Sequence, residues 1–355
     1  MSSEEELMVE LREAIALGHG RTQIEAMELV LAKAQSQGQD VVEHAVRVRL
    51  IEAYTFGGET EKLFSAFAWC LAAYERGERQ HEFRLLWAFK WVAHGFTRFP
   101  QIPLAQGRAM HDEMERRFRE AGQSMQPVHQ YRCQFAQHIG DPGTAAEEFR
   151  LWGLSTRGAL SNCPVCDPTA RVAYHNWTRD YEESVRVARA ALNSGKRCVS
   201  EPQAMMTLLL EPCLKIGRPD QGRRAHLAAY PALRNNRFET GLVSEHIRFC
   251  AHVGDADRAF ELAQQHLDWL DGVATPSEDM RLSTACAVAF RVAASAGRKG
   301  ELVRRPAYEG RPAGETEVSA LADELEARAF AIAARFDERN QSAEQSNGVR
   351  EWLDV

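Results

Sequence analysis

The most specific chemistry-bearing residues in this sequence are Cys163-Pro-Val-Cys166, with Cys198 following 32 residues after Cys166. Two cysteines at this spacing can turn back onto one metal ion, but a closed structural zinc site needs four ligands. Cys198 offers a third thiolate. His129 is the first candidate for the fourth, because it stands at the start of the preceding helix pair; Cys133 and His226 are further candidates, whereas His175, near the far end of its own helix, is roughly 10 Å or more away. Structural zinc is therefore the candidate cofactor, with Cys163, Cys166, Cys198 and His129 as its candidate ligands. Two other readings stand beside it: three reduced thiols at crowded helix ends, or a redox-active Cys-x-x-Cys. The redox reading wants its first cysteine directly at a helix start, where the dipole lowers a thiol pKa. Asp167-Pro168 instead predicts a helix beginning at about 168, past both thiols.

A second constellation suits recognition. Arg84, Trp87, Trp91 and His94 recur at three- or four-residue spacing in FRLLWAFKWVAHGF and share one helix face. Large aromatics beside a guanidinium are what a protein-binding groove displays, and His129, Arg132, Arg171 and Tyr174 would extend that groove along later helices. The alternative is that the tryptophans are core, since Phe83, Leu86, Phe89 and Lys90 form a largely apolar opposite stripe. Glu245-His246 and His252 lack the HExxH spacing of a zinc hydrolase. His111-Asp112-Glu113 reads as a solvated helix face. No Gly-rich nucleotide loop, Gly-x-Ser-x-Gly elbow or kinase set is present, so no catalytic residue is assigned and a non-enzymatic role is expected.

The elements that must position these residues are helices. The 355 residues carry 43 basic and 50 acidic side chains, a formal charge of -7, and 45% hydrophobic residues, the composition of a folded chain. The negative balance argues against nucleic acid as a partner, and Arg223-Arg224 and Arg304-Arg305 are too short to reverse that. No stretch of about 18 apolar residues exists to span a membrane. The acidic start MSSEEELMVELREAI is unlike a secretory signal, so the expected location is the cytoplasm, with most of the eight cysteines reduced. Ser3 with Glu6, Thr22 with Glu25, Asp40 with Glu43, Asp180 with Glu183, and Ser200 with Gln203 have capping-box spacing. The chain is predicted to be all-α.

A longer period overlies the helical one. IGDPGTAAEEF, NWTRDYEESVRVA, IGRPDQGRRAH and VGDADRAFELA each read as a helix end, a tight turn and a new helix. Their turn residues Gly140, Arg179, Gly217 and Gly254 lie 39, 38 and 37 residues apart. FGGETEKLFSAF at 56–67 has the same form. A helix pair with two short loops needs about that much chain, and such periods mark solenoids. Ala136, His175, Cys213 and Cys250, each four residues before a turn marker, then fill one helix-packing position.

GDADRAFELAQQHLDWL and RDYEESVRVARAAL resemble the second helices of tetratricopeptide (TPR) repeats, and similar repeat proteins with a midway Cys-Pro-x-Cys segment occur in high-GC bacteria. The period here runs over 34 residues, and the usual Trp and Gly-Tyr positions of the first helix are mostly missing. The resemblance implies an α-solenoid of antiparallel helix pairs, a TPR-like superhelix, over residues 40–300. Residues 1–39 would cap it. Residues 301–355 would hold a loop (299–316), a capping helix (317–336), a frayed polar stretch (337–348) and an apolar VREWLDV end. It implies a scaffold that binds a protein or peptide partner along a concave groove, with apolar end faces open to self-association. The alternatives are an enzyme or enzyme accessory with a pocket framed by the solenoid, or a regulatory solenoid that binds a peptide signal or nucleic acid. In every case, antiparallel packing is expected to bring Cys163, Cys166 and Cys198 to one edge.

Overall fold

The fold follows from how each helix is stopped. In a computed structural model that describes residues 3–198 and 200–354, the four turn markers all adopt left-handed backbone, with φ of 73° at Gly140, 61° at Arg179, 71° at Gly217 and 76° at Gly254. The next residue then donates its N–H to the carbonyl five positions earlier: Asp141 to Ala136 at 2.9 Å, Asp180 to His175 at 2.8 Å, Arg218 to Cys213 at 2.7 Å and Asp255 to Cys250 at 3.0 Å. This closes the last helical turn and reverses the chain. The same bond recurs earlier, from Gln39 to Ala34, Glu59 to Tyr54, Glu78 to Ala73 and Gln123 to Phe118. The acceptor residues are buried except His175, which is half-buried. The shared packing position read from the sequence is therefore real, and its carbonyl is what the turn holds.

The chain divides into two compact units, residues 1–97, 105–131 and 151–161 forming the first, and residues 98–104, 132–150 and 162–355 the second. In the first lie α1 (Ser3–Ala16), α2 (Arg21–Ser36), α3 (Asp40–Phe56), α4 (Thr60–Glu75), α5 (Glu82–Gly95) and nearly all of α6 (Leu104–Glu120). From α1 to α5 consecutive helices pack together, and α1 also touches α3, as α3 does α5. Alternate helices thus make a layer of their own. Helices α7 (Gln126–Ile139) and α8 (Pro142–Leu154) contribute residues to both units.

The second unit continues with α9 (Cys166–Trp177), α10 (Tyr181–Asn193), α11 (Gln203–Leu208), α12 (Leu210–Lys215), α13 (Pro219–Leu233), α14 (Thr240–His252), α15 (Ala256–His266) and α16 (Pro276–Ala293). Alternate helices meet again: α9 touches α11, α11 and α12 touch α14, and α14 touches α16. Helix α16 is buried along most of its length, from Leu282 to Phe290, because it packs on α14, α15 and α17 (Val318–Asn340). Among the described residues no helix is long and apolar enough to cross a membrane.

Three local expectations are corrected. The 299–316 stretch contains strand β1 (Leu302–Arg305), paired antiparallel with β2 (Gly314–Glu317). Val303 and Arg305 alternate inward, and Arg305 reaches Glu324 of α17 at 2.6 Å; four residues are too few for a period of two to stand out in sequence. The 337–348 stretch is not frayed. Helix α17 runs to Asn340, and α18 (Glu344–Leu353) begins three residues after it ends. Of the proposed capping pairs, Asp180 accepts from Glu183 N–H, whereas α2 and α3 follow Gly20 and Gln39 with no side-chain cap. Asp141 and Asp255 cap their helices too, accepting from Thr144 and Arg258 N–H.

Helices α13, α14 and α15 bury three histidines. His226 and His246 place their Nδ1 atoms 3.0 Å apart, His246 Nε2 lies 3.0 Å from Thr207 Oγ1, and His266 Nε2 lies 2.9 Å from the Tyr230 hydroxyl. Burial pushes His246 down to about 3, and His226 and His266 to about 4. The His226 ring adds to the effect on His246, and Arg258 to that on His226. The folded protein therefore keeps them neutral while the unfolded chain takes up protons below about 6.5. Their contribution to stability is full above that pH and is lost as pH falls toward 4. Each adds a slope of up to roughly 1.4 kcal/mol per pH unit. Urea midpoints should fall steadily from pH 7 to pH 5; a flat profile would rule out the neutral cluster.

Candidate metal centre

The tight turn at 178–180 folds α9 and α10 against each other. The start of α9 is thereby brought to the end of α10, and with it the two connections that carry the cysteines. Cys166 is itself the first residue of α9; Asp167 and Pro168 lie inside the first turn and do not delay the helix as their types suggested. Cys163 precedes it in a tight turn, with the Cys166 and Asp167 N–H groups both 3.1 Å from the Cys163 carbonyl. Cys198 belongs to the connection from α10 to α11.

The three thiols meet. Cys163 and Cys166 Sγ are 3.0 Å apart, Cys166 and Cys198 Sγ are 3.4 Å apart, and all three lie within 4.8 Å of one another. Each is half-buried. Burial pushes the Cys163 thiol up, but hydrogen bonds from Cys166, from the Cys166 and Val165 N–H groups and from Cys198 outweigh it, so its pKa falls below the ordinary thiol value. Burial and the neighbouring sulfurs drive Cys166 the other way. Cys163 thus ionises more readily than Cys166, and a bound cation would favour the thiolate form of each ligand. Sulfurs about 2.3 Å from a tetrahedral zinc stand roughly 3.8 Å apart, so binding asks the Cys163–Cys166 and Cys166–Cys198 contacts to open by less than an ångström. The donor set fits.

Glu201 anchors the Cys198 connection, a role missed in the sequence. Its backbone carbonyl accepts from Cys198 N–H at 3.3 Å. Its buried carboxylate accepts from Met205 N–H at 3.0 Å and from the Thr169 hydroxyl of α9. Burial raises its pKa. The only sequence signal was an acid followed by proline, three residues past a cysteine.

The other candidates lie elsewhere. His129 belongs to the first unit, while all three cysteines belong to the second. His175 stands at the far end of α9, edge-on to Phe149 and Tyr174, and His226 belongs to the buried histidine network. Cys133 is fully buried with its thiol 3.4 Å from the Ala145 carbonyl. Among the described residues, the group that can hold a metal is the three cysteines.

The recognition residues are distributed over both units. On α5, Arg84 and His94 are exposed, and Trp87 and Trp91 half-buried. Arg84 is 3.9 Å from Glu52, Trp91 meets Phe56 edge-on at 5.6 Å, and the Lys90 ammonium lies 3.1 Å from the Trp87 ring centre. Lys90 is buried and donates to the Leu160 carbonyl, so it is no part of an apolar stripe. In the second unit Arg132 is half-buried, Arg171 pairs with Asp167 at 3.0 Å, and Tyr174 stacks on Phe149 with ring centres 3.7 Å apart. Phe56 is the member that sequence reading overlooked, because it comes from α3.

Neither a protein-family model nor a curated protein matches this sequence. The centre is therefore read from its geometry.

That geometry separates the eight free cysteines by reactivity. Burial pushes Cys70, Cys133, Cys250 and Cys286 up to about 12. Brief iodoacetamide treatment of the native metal-free protein at pH 7.5, followed by peptide mass mapping, should label Cys163 first and leave those four unmodified. Equal labelling of Cys163 and Cys250 would contradict the assigned thiolate.

Proposed function

We propose that the chain is a cytoplasmic TPR-like α-solenoid, wound as a superhelix over residues 40–300 and capped at both ends, that works as a regulatory or accessory protein through a thiolate-bound zinc ion. No reaction of its own belongs to this reading. It is carried by the convergence of Cys163, Cys166 and Cys198 from two separate connections, with Sγ distances of 3.0 and 3.4 Å. Three thiolates leave one position of a tetrahedral ion for a ligand from outside the set, a water or a partner's side chain. A metal held this way also ties the 155–165 and 194–202 connections together, so its occupancy sets the order of the middle helices.

Metal analysis of protein purified without an affinity tag is expected to find about one zinc per chain. In Cys166→Ser the zinc should be lost and the middle helices should exchange amide hydrogens faster, with the chain ends unchanged. Absence of zinc from the wild-type protein, and an unchanged metal-titration and exchange profile in the variant, would remove the proposal.

A second reading is favoured by the α5 face, where Trp87 and Trp91 are half-buried between exposed Arg84 and His94. Phe83 and Phe56 beside it are 53% and 39% exposed. Here the chain is a scaffold for a protein or peptide partner. Trp91→Ala should then weaken binding of a partner recovered by pull-down by about 2 kcal/mol, the hot-spot scale. If the thermal midpoint collapses instead, Trp91 is core.

A further inference from the structure

The residue two places before each turn marker, His138, Trp177, Lys215 and His252, occupies the same register in four successive helix pairs of the second unit. All four touch α18, the first two at its first turn and the last two at its last turn. Gln345 Nε2 donates to the His138 carbonyl at 2.7 Å, and Trp177 Nε1–H donates to Glu344 at 2.6 Å. Glu351 lies 4.0 Å from Lys215, and His252 Nε2 lies 3.0 Å from the Trp352 carbonyl. Arg179 adds a 3.2 Å pair to Glu351. The guanidinium groups of Arg248 and Arg281 stand 4.3 and 5.4 Å from the Trp352 ring centre. The repeats thus present a continuous track, and the C-terminal helix lies along it.

The seat makes this helix; its sequence does not. Ten residues is below the length, about 12 to 15, at which isolated helices become even marginal. Gly348 sits in its interior, where glycine disfavours helix about fivefold relative to alanine. A Cβ there would meet nothing within 4 Å, so packing does not demand the glycine. Only Ser346 and Val349 are fully buried; Trp352 and Leu353 are half-buried, and Asn347, Gly348 and Arg350 are exposed. The remaining anchors are the Asp337 carboxylate, which accepts from the Gln345 and Ser346 N–H groups at 2.9 and 3.0 Å, the hydrogen bonds at His138, Trp177 and His252, and ion pairs and ring contacts at partly exposed sites, the last individually weak. A cavity of about 190 Å³, lined by Glu211, Lys215, Glu245, Arg248, His252 and Glu351, remains beside the last turn of α18. The helix is held at many points and tightly at few.

We propose that this track is a binding surface for a short amphipathic helix bearing carboxylates at positions i and i+7 followed by tryptophan, and that α18 is its resident, exchangeable occupant. The proposal is independent of the thiolate centre. Because only residues 341–343 separate α18 from α17, the tethered helix competes at very high effective concentration. A matching helix supplied in trans binds to the extent that α18 lets go.

The test uses the full chain and a fluorescent peptide of residues 342–354, followed by anisotropy. Trp352→Ala in the chain loosens the resident helix and should tighten peptide binding at least tenfold relative to wild type. Gly348→Ala strengthens it and should weaken peptide binding about fivefold. A peptide carrying Trp352→Ala should not bind. Far-UV circular dichroism and a cooperative melt check each variant, and Glu351→Gln serves if Trp352→Ala does not fold. Saturable binding that follows this order supports the proposal. No binding to any folded variant up to about 100 µM, or equal binding to all of them, overturns it.

Discussion

One hydrogen bond governs much of this structure: the N–H after each left-handed turn residue returns to a carbonyl five positions earlier. It ends a helix, sets the direction in which the chain leaves, and lets the next helix begin within one to three residues, often under an aspartate cap as at Asp141, Asp180 and Asp255. The acceptor residue is drawn into the core by the same bond. Small or apolar-tolerant residues therefore fill that register, as Ala136, Cys213 and Cys250 do. Glycine suits the turn position because left-handed backbone is unfavourable for side-chain-bearing residues; Arg179, at φ 61°, and Gln341, at φ 55° after α17, are the exceptions at helix ends.

The thiol cluster and the seat of α18 sit at opposite ends of the helix pair α9–α10. At the turn end, Trp177 and Arg179 hold α18. At the open end, Cys163, Cys166 and Cys198 converge because the start of one helix must lie beside the end of the other when the turn between them is tight. The buried Glu201 then links the cysteine connection to α9 through Thr169, so the thiol cluster is braced by the same helix that carries Trp177, one of the anchors of α18.

Electrostatics follow burial closely. The thiols at the α9 start remain half-exposed and receive hydrogen bonds from one another and from backbone N–H groups, which is what lowers Cys163. Cys286 and Cys250, enclosed by apolar helices, are driven upward. Residue type alone does not separate these cases; solvent and donors do. The same contrast divides the histidines. His246 and His266 are fully buried and neutral, whereas His94 is exposed on the α5 face.

Local chemistry was legible in the sequence wherever neighbours in the chain decide the outcome. Turn residues, the aspartate cap at Asp180 and the convergence of three cysteines all follow from short-range hydrogen bonding and helix geometry. What the sequence could not determine are the outcomes fixed by distant partners. Helix α18 is too short and too polar to announce itself, and forms because His138, Trp177, Lys215 and His252 wait for it in register. The β1–β2 hairpin depends on α17 to receive Val303 and Arg305. Lys90 reads as part of a largely apolar stripe until Leu160, seventy residues away, supplies its carbonyl. Periodicity reports which face of a helix is apolar; only packing decides what that face meets, because the energy of burial belongs to both surfaces at once.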